Sequence, residues 1–168
     1  MSYELTDGTV VRIRPIEPGD KVRLAEGLRR LSRETIRRRF LAAKPRFSTS
    51  ELRYLTEVDG VAHIALIAVL DADPEVLVAV ARSVRLRDRP DTAEMAIVVG
   101  DPWQGRGLGR ALALALADAA AATGIRRFTA TMLADNEPAR RLMRTLAARL
   151  DEGPASGGVR EVEAVLAA

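Results

Sequence analysis

The chain contains no cysteine. That excludes thiol nucleophiles, cysteine-ligated zinc, iron–sulfur clusters and disulfide scaffolds together. A single histidine, His63, leaves no metal site that needs two imidazoles, and any Ser–His–Asp triad would depend on it alone. Lysine occurs only at Lys21 and Lys44, so arginine supplies almost all of the 26 basic residues. Aromatic residues make up 4% against 48% hydrophobic, much of it alanine, so small side chains should fill much of the core. No apolar run approaches the roughly 18 residues of a membrane span. Met1 to Thr9 lacks the basic-then-apolar pattern of a secretory signal. A soluble, cytoplasmic protein that binds no membrane and needs no metal is expected.

What is present fits one domain over residues 1–168, long enough to bury about two-thirds of its unfolded surface. The net charge is only +3, while the isoelectric point is near 9.9 because arginine titrates so high. Arginine excess together with abundant alanine reads as compositional bias before it reads as a phosphate-binding surface.

Hydrophobic periodicity then sets the elements. Thr9 to Arg14 alternates as a short strand stopped by Pro15. Short helices follow: one after Pro18-Gly19-Asp20, one over Arg33 to Leu41, and one behind the capping box Ser48-Thr49-Ser50-Glu51. His63 to Leu70 and Glu75 to Val84 form a hairpin across Asp71-Ala72-Asp73-Pro74, and Ala93 to Val99 completes an antiparallel meander. A helix over Arg110 to Thr123 ends at Gly124. Arg127 to Leu133 is a strand, Asp135-Asn136-Glu137-Pro138 opens a helix to about Ala148, Glu152 to Gly158 is a loop, and Val159 to Leu166 is the last strand.

The densest chemical signal is Trp103-Gln104-Gly105-Arg106-Gly107-Leu108-Gly109-Arg110, between a strand and a helix. Glycines let successive N–H groups converge on one anion, and a helix N-terminus adds free donors and a positive dipole end. A Walker A loop needs a lysine, and none lies beyond Lys44. A dinucleotide fingerprint needs a third glycine where Arg110 stands, and a parallel βαβ setting that the meander denies. The loop does spell Q-x-x-G-x-G, from Gln104 to Gly109.

That string, the element order and Asn136 followed by Ala139 in N-x-x-A resemble the GNAT family of N-acetyltransferases along nearly the whole chain. Val11-Arg12-Ile13-Arg14-Pro15-Ile16, Arg39-Phe40, Thr56-Glu57-Val58-Asp59 and Ala93-Glu94-Met95-Ala96 further resemble bacterial Pat-type protein lysine acetyltransferases. The resemblance implies an α/β (α+β) fold with a mixed, mostly antiparallel central sheet flanked by helices. It implies acetyl-CoA as co-substrate and a primary amine as acceptor, a protein lysine or a small molecule, with a homodimer compatible with the family. Backbone N–H groups of Gly105, Arg106, Gly107, Leu108, Gly109 and Arg110, introduced by Gln104, would bind the CoA pyrophosphate, and the Arg106 and Arg110 side chains would help. The strand carrying Ile97, Val98 and Val99 would be bulged and splayed. Pantetheine would bond the backbone of Ile97 and Val99, and an N–H near Val98 would polarise the thioester carbonyl. Asn136 would contact the pantetheine arm or organise the opposite wall, and Ala139 would also help to bind the cofactor. Glu94 matches the family glutamate that takes the amine proton.

Two departures stand out. The family's frequent tyrosine in N-x-x-A-x-x-L-Y is Met143 here, and methionine cannot protonate a leaving thiolate. Ala147-Ala148 replaces the usual Gly-Phe. Pat-type enzymes often carry a cyclic-nucleotide-binding or acyl-CoA synthetase-like domain, and neither is expected in this chain. These departures keep a non-catalytic acyl-CoA-binding module in play. Arg37-Arg38-Arg39 reads as a solvated helix turn rather than a nucleic-acid grip, Trp103 as packing beneath the loop, and His63 as structural.

Overall fold

The computed structural model describes residues 1–167. Its strands are β1 (Ser2–Glu4), β2 (Val10–Pro15), β3 (His63–Leu70), β4 (Leu77–Arg85), β5 (Thr92–Val99), β6 (Arg127–Leu133), β7 (Ala147–Glu152) and β8 (Val159–Leu166). Its α-helices are α1 (Lys21–Arg29), α2 (Arg33–Phe40), α3 (Thr49–Thr56), α4 (Leu108–Ala122) and α5 (Glu137–Leu146). The strands form one sheet in the order β1-β2-β3-β4-β5-β6-β8-β7. Every neighbouring pair is antiparallel except β5 and β6. The mixed, mostly antiparallel sheet inferred from the sequence is therefore present.

Helices cover both faces. On one face α4 lays Leu108, Leu112 and Leu116 into the core beside Phe128, Met132 and Val162. Burying each such leucine stabilises the fold by about 1.5–3 kcal/mol. On the other, α1 and α3 cover Ile67, Val69 and Val80. The capping box is in place: Ser48 Oγ accepts from Glu51 N–H at 3.2 Å, and Glu51 accepts from Ser48 N–H at 2.7 Å. Gly124 follows α4 with φ +92°, the left-handed position that suits glycine.

Three expectations are corrected. Helix α5 stops at Leu146, and Ala147 turns extended (φ −96°, ψ 127°) to begin β7 as an edge strand on β8. Ala-Ala-Arg-Leu favours a helix locally, but cross-strand pairing of Leu150 with Ala164 overrides that preference. Strand β1 was missed because three residues carry no readable period. The bulge expected on β5 is not there. The β4–β5 register runs unbroken from Ala79↔Val99 to Arg85↔Ala93, and the irregularities lie where β3 meets β4, between Ala68 and Val69, and where β7 meets β8, between Ala147 and Arg149.

Candidate active site

Strand β5 pairs with β6 over three residues only, Thr92–Glu94 against Arg127–Thr129, and the two strands then separate. The splay expected from the resemblance is therefore real. Its backbone polarity follows from the ladder. Gly100 N–H donates to Val78 C=O at 2.8 Å, and Leu86 N–H donates to Thr92 C=O at 2.9 Å. Antiparallel alternation then commits the Glu94, Ala96 and Val98 backbones to β4 and turns those of Ile97 and Val99 into the gap. Gln104 Nε2 donates to Val99 C=O at 2.9 Å from that side. Ile97 and Val99 thus sit where the sequence expected them. The Val98 amide belongs to the ladder, and the amides nearest it that face the gap are those of Ile97 and Val99.

The gap opens into a cleft of about 530 Å³, bounded by Ile97 to Val99, Gln104, Gly105, Gly109, Asn136, Ala139 and the α2 residues Thr35, Arg38 and Arg39. At its mouth the chain turns with Gly105 at φ +72° and Gly107 at φ +87°, and Gly107 is the N-cap of α4. Its positive φ favours glycine, and a Cβ at Gly107 would stand 3.0 Å from Tyr3 Oη, a close contact that the tyrosine tip must shift slightly to admit. The first amides of α4, from Leu108 to Arg110, lack intrahelical acceptors, which makes this terminus receptive to an anion. The Leu108 side chain is core, 1% exposed, so only its backbone can serve the loop. Arg110 is exposed, with no ion pair among the described residues. The Arg106 guanidinium is paired with Asp7, and its carbonyl accepts from Thr6 N–H at 3.4 Å. Its side chain thus staples the N-terminal segment to the loop.

A polar network missed from the sequence fixes this loop against α2. Asp101 accepts from Ser32 N–H at 2.9 Å, Ser32 Oγ at 2.7 Å and Thr35 Oγ1 at 2.7 Å. Gln104 Nε2 donates to Thr35 Oγ1 at 3.2 Å. Burial pushes the Asp101 carboxyl up, but the Ser32 and Thr35 hydrogen bonds outweigh it and hold the carboxyl below its ordinary value. The sequence signal was Ser32-x-x-Thr35 ahead of a helix, readable as a cap but not as an anchor for a loop some seventy positions on.

On the opposite wall Asn136 is 7% exposed and caps α5, its Oδ1 accepting from Ala139 N–H at 3.2 Å. Its amide NH₂ remains available to the cleft. Met143 is 2% exposed and lines the inner end of the gap beside Leu142, with no acid in its place. Glu94 lies exposed where β5 and β6 part, on the sheet face covered by α1 to α3.

Behind Glu94 that face is cationic. Arg82 is 6% exposed, and Arg39 turns inward from α2 while Arg37 and Arg38 remain exposed. The Arg39 part of the solvated-turn expectation is thereby corrected. Burial, and then the charge of Arg39, push Arg82 down to about 10. Burial likewise lowers Arg39, against the opposing charge of Glu94. His63 Nε2 lies 3.0 Å from an Arg82 nitrogen, and burial followed by that charge lowers the imidazole. Trp103 packs against the core beneath the loop, as expected. A separate apolar cavity of about 280 Å³ lies under α1, between Leu28, Phe47 and Trp103. Arg30 is the one charged residue in its otherwise apolar lining, and no run of helix-terminal amides opens onto it, which leaves the cleft at the glycine loop as the candidate site.

The acetyltransferase (GNAT) family model matches residues 31–147. The Acetyltransferase Pat of Mycolicibacterium smegmatis is 40% identical over 137 residues, covering 81% of this chain and 40% of that protein. The GNAT domain of S. lividans PAT superposes with a TM-score of 0.87 at 31% identity, covering 99% of this chain and 96% of that one. A cAMP-binding acyltransferase from Mycobacterium smegmatis gives a TM-score of 0.69 at 30% identity, covering 100% of this chain and 47% of that one. This chain therefore spans less than half the length of these two mycobacterial relatives. With the loop, the splayed strands and the family match in agreement, the chain belongs to the GNAT family of acetyltransferases.

Proposed function

We propose that this domain transfers an acetyl group from acetyl-CoA to a primary amine, with a protein lysine as acceptor. The observation that carries the reading is the gap between β5 and β6. It presents the Ile97 and Val99 backbones on one side, the free Asn136 amide on the other and the α4 amides at its mouth. Acetyl-CoA supplies the activated acyl group. Gly105 to Arg110 hold its pyrophosphate through backbone N–H groups, and Ile97 and Val99 align the pantetheine arm as an added strand would. A gap-facing N–H polarises the thioester carbonyl.

The acceptor arrives as an ammonium, with a reference pKa of about 10.4, and must lose a proton before it attacks. Glu94 takes that proton, directly or through a water. With no cysteine to form an acyl-enzyme, the amine attacks the thioester itself. The nitrogen–carbon bond forms, the nitrogen gives up its second surplus proton as the carbon–sulfur bond breaks, and solvent delivers a proton to the departing thiolate, Met143 having none to give. The likeness to Pat supports lysine as the acceptor.

The test is titration calorimetry of CoA with the wild type, Gly107→Ala and Gly107→Glu, followed by CoA release with lysine peptides and small amines. Both variants carry the same backbone strain at φ +87°. Only the glutamate adds a negative charge at the pyrophosphate. CoA binding that survives in Gly107→Ala and disappears in Gly107→Glu is expected. Equal affinity in the two would remove the loop assignment.

A further inference from the structure

Arg82 is a buried cation without an anion. Burying an unpaired charge costs several kcal/mol, so such a group normally faces a carboxylate or serves a ligand. Among the described residues no carboxylate lies within 4.0 Å of Arg82 or Arg39. A guanidinium has five N–H donors. Arg82 directs three of them at Leu55 C=O (3.3 and 3.4 Å) and His63 Nε2 (3.0 Å), so two remain unengaged. Arg39 donates no hydrogen bond among the described residues, and its guanidinium carbon lies 4.8 Å from the centre of the Phe40 ring. Of the nearby acids, Glu57 is paired with Lys21, Glu51 with Lys44, and Asp59 with the amides of Val61 to His63, while Glu94, whose charge opposes the lowering of Arg39, makes no ion pair within 4.0 Å of either guanidinium.

The two arginines converge on a small cavity of about 40 Å³, walled by Phe47, Leu55, Val80 and Val98. That space holds a few water-sized groups, which suits a carboxylate and little more. Arg39 also lines both parts of the cleft on the other side, so it stands at the junction between the cavity and the thioester position. Two planar guanidiniums facing one small space, Arg82 buried and Arg39 half-buried, make a donor set suited to a carboxylate.

We infer that Arg39 and Arg82 bind a carboxylate carried by one of the substrates, immediately beyond the reacting carbonyl. The inference rests on the acyl-CoA reading of the cleft. The carboxylate marks a substrate taken in addition to acetyl-CoA and protein lysine, and it has two chemical sources: the far end of a dicarboxylic acyl group on CoA, or the α-carboxylate of a free amino acid acceptor.

Calorimetry with acetyl-CoA and succinyl-CoA, without acceptor, examines the first source. Turnover of acetyl-CoA with amino acids and with their carboxamides examines the second. Each arm is run on wild type, Arg82→Gln and Arg39→Gln. The second variant guards against misfolding of the first, because Arg39 holds no hydrogen bond that the fold needs. A charge-assisted pair should favour the carboxylate-bearing partner by about tenfold or more, and the ratio should fall towards one in both variants. A preference for succinyl-CoA assigns the site to the donor, and a preference for free amino acids over their amides assigns it to the acceptor. Acetyl-CoA binding with neither preference, or a preference that survives both substitutions, overturns this inference and leaves the acyl-CoA reading intact. Failure of wild-type protein to bind either thioester defeats that reading first, and this inference with it.

Discussion

Replacing Asp101 by alanine should unfasten α2 from the glycine loop. The carboxylate accepts three hydrogen bonds of 2.7, 2.7 and 2.9 Å, from both polar groups of Ser32 and from Thr35. Bonds to a charged acceptor contribute about 1.5–3 kcal/mol each when isolated, but they share one carboxylate, and water can reach the exposed Ser32. A total of about 2–3 kcal/mol is therefore expected. For a chain of this size that lowers the melting temperature by about 4–12 °C. Asp101→Asn should lose less, because the two hydroxyls can rotate to accept from its NH₂ while its oxygen keeps the Ser32 amide. The pH dependence has a definite sign. The folded carboxyl lies below its ordinary value, so its contribution is complete above the unfolded carboxylate pKa, near 3.9, and is lost as pH falls through the lower folded value. Differential scanning calorimetry of wild type and Asp101→Ala from pH 7 to pH 2 provides the assay, and the gap between them should close at the acid end. A shift below about 1 °C at pH 7, or a gap constant down to pH 2, would refute the anchoring role.

Two further substitutions follow from burial. Leu116 is fully buried in the middle of α4, so Leu116→Ala should cost about 2–5 kcal/mol in urea unfolding, and a loss under about 1 kcal/mol would contradict its place in the core. Met143→Ala should also destabilise, since Met143 is 2% exposed, yet it should remove no ionisation from the pH–rate profile. Disappearance of a basic-side limb would mean that the helix alignment conceals an acid nearby.

Much of the site was legible because it is local. Gln104 to Gly109 identify themselves by glycine spacing, and the capping box at Ser48 and the stop at Gly124 are written in three or four residues. Backbone direction was legible for Ile97 and Val99 once the family pattern fixed the strand, but the Val98 amide depends on ladder phase, which sequence does not record. Strand β7 was hidden because Ala147 to Leu150 are good helix formers captured by β8. The Asp101–Thr35–Gln104 network and the Arg39–Arg82 junction were hidden for the same physical reason. Each joins residues distant in the chain, and an arginine facing inward looks, in an arginine-rich sequence, like one facing water.

Amine acylation assisted by Glu94 is tested by paired pH–rate profiles of wild type and Glu94→Gln on a competent amine acceptor. Glutamine keeps the size of the side chain but cannot take the proton. Turnover near neutral pH should fall by roughly 10²–10⁴ with CoA affinity nearly unchanged. The deficit should narrow as pH rises towards the amine pKa of about 10.4, where solvent performs the deprotonation. A mutant profile parallel to wild type and within a few-fold of it at every pH, in a variant of normal thermal stability, would contradict the claim and turn the search for a base to Glu57, Asp59 and His63.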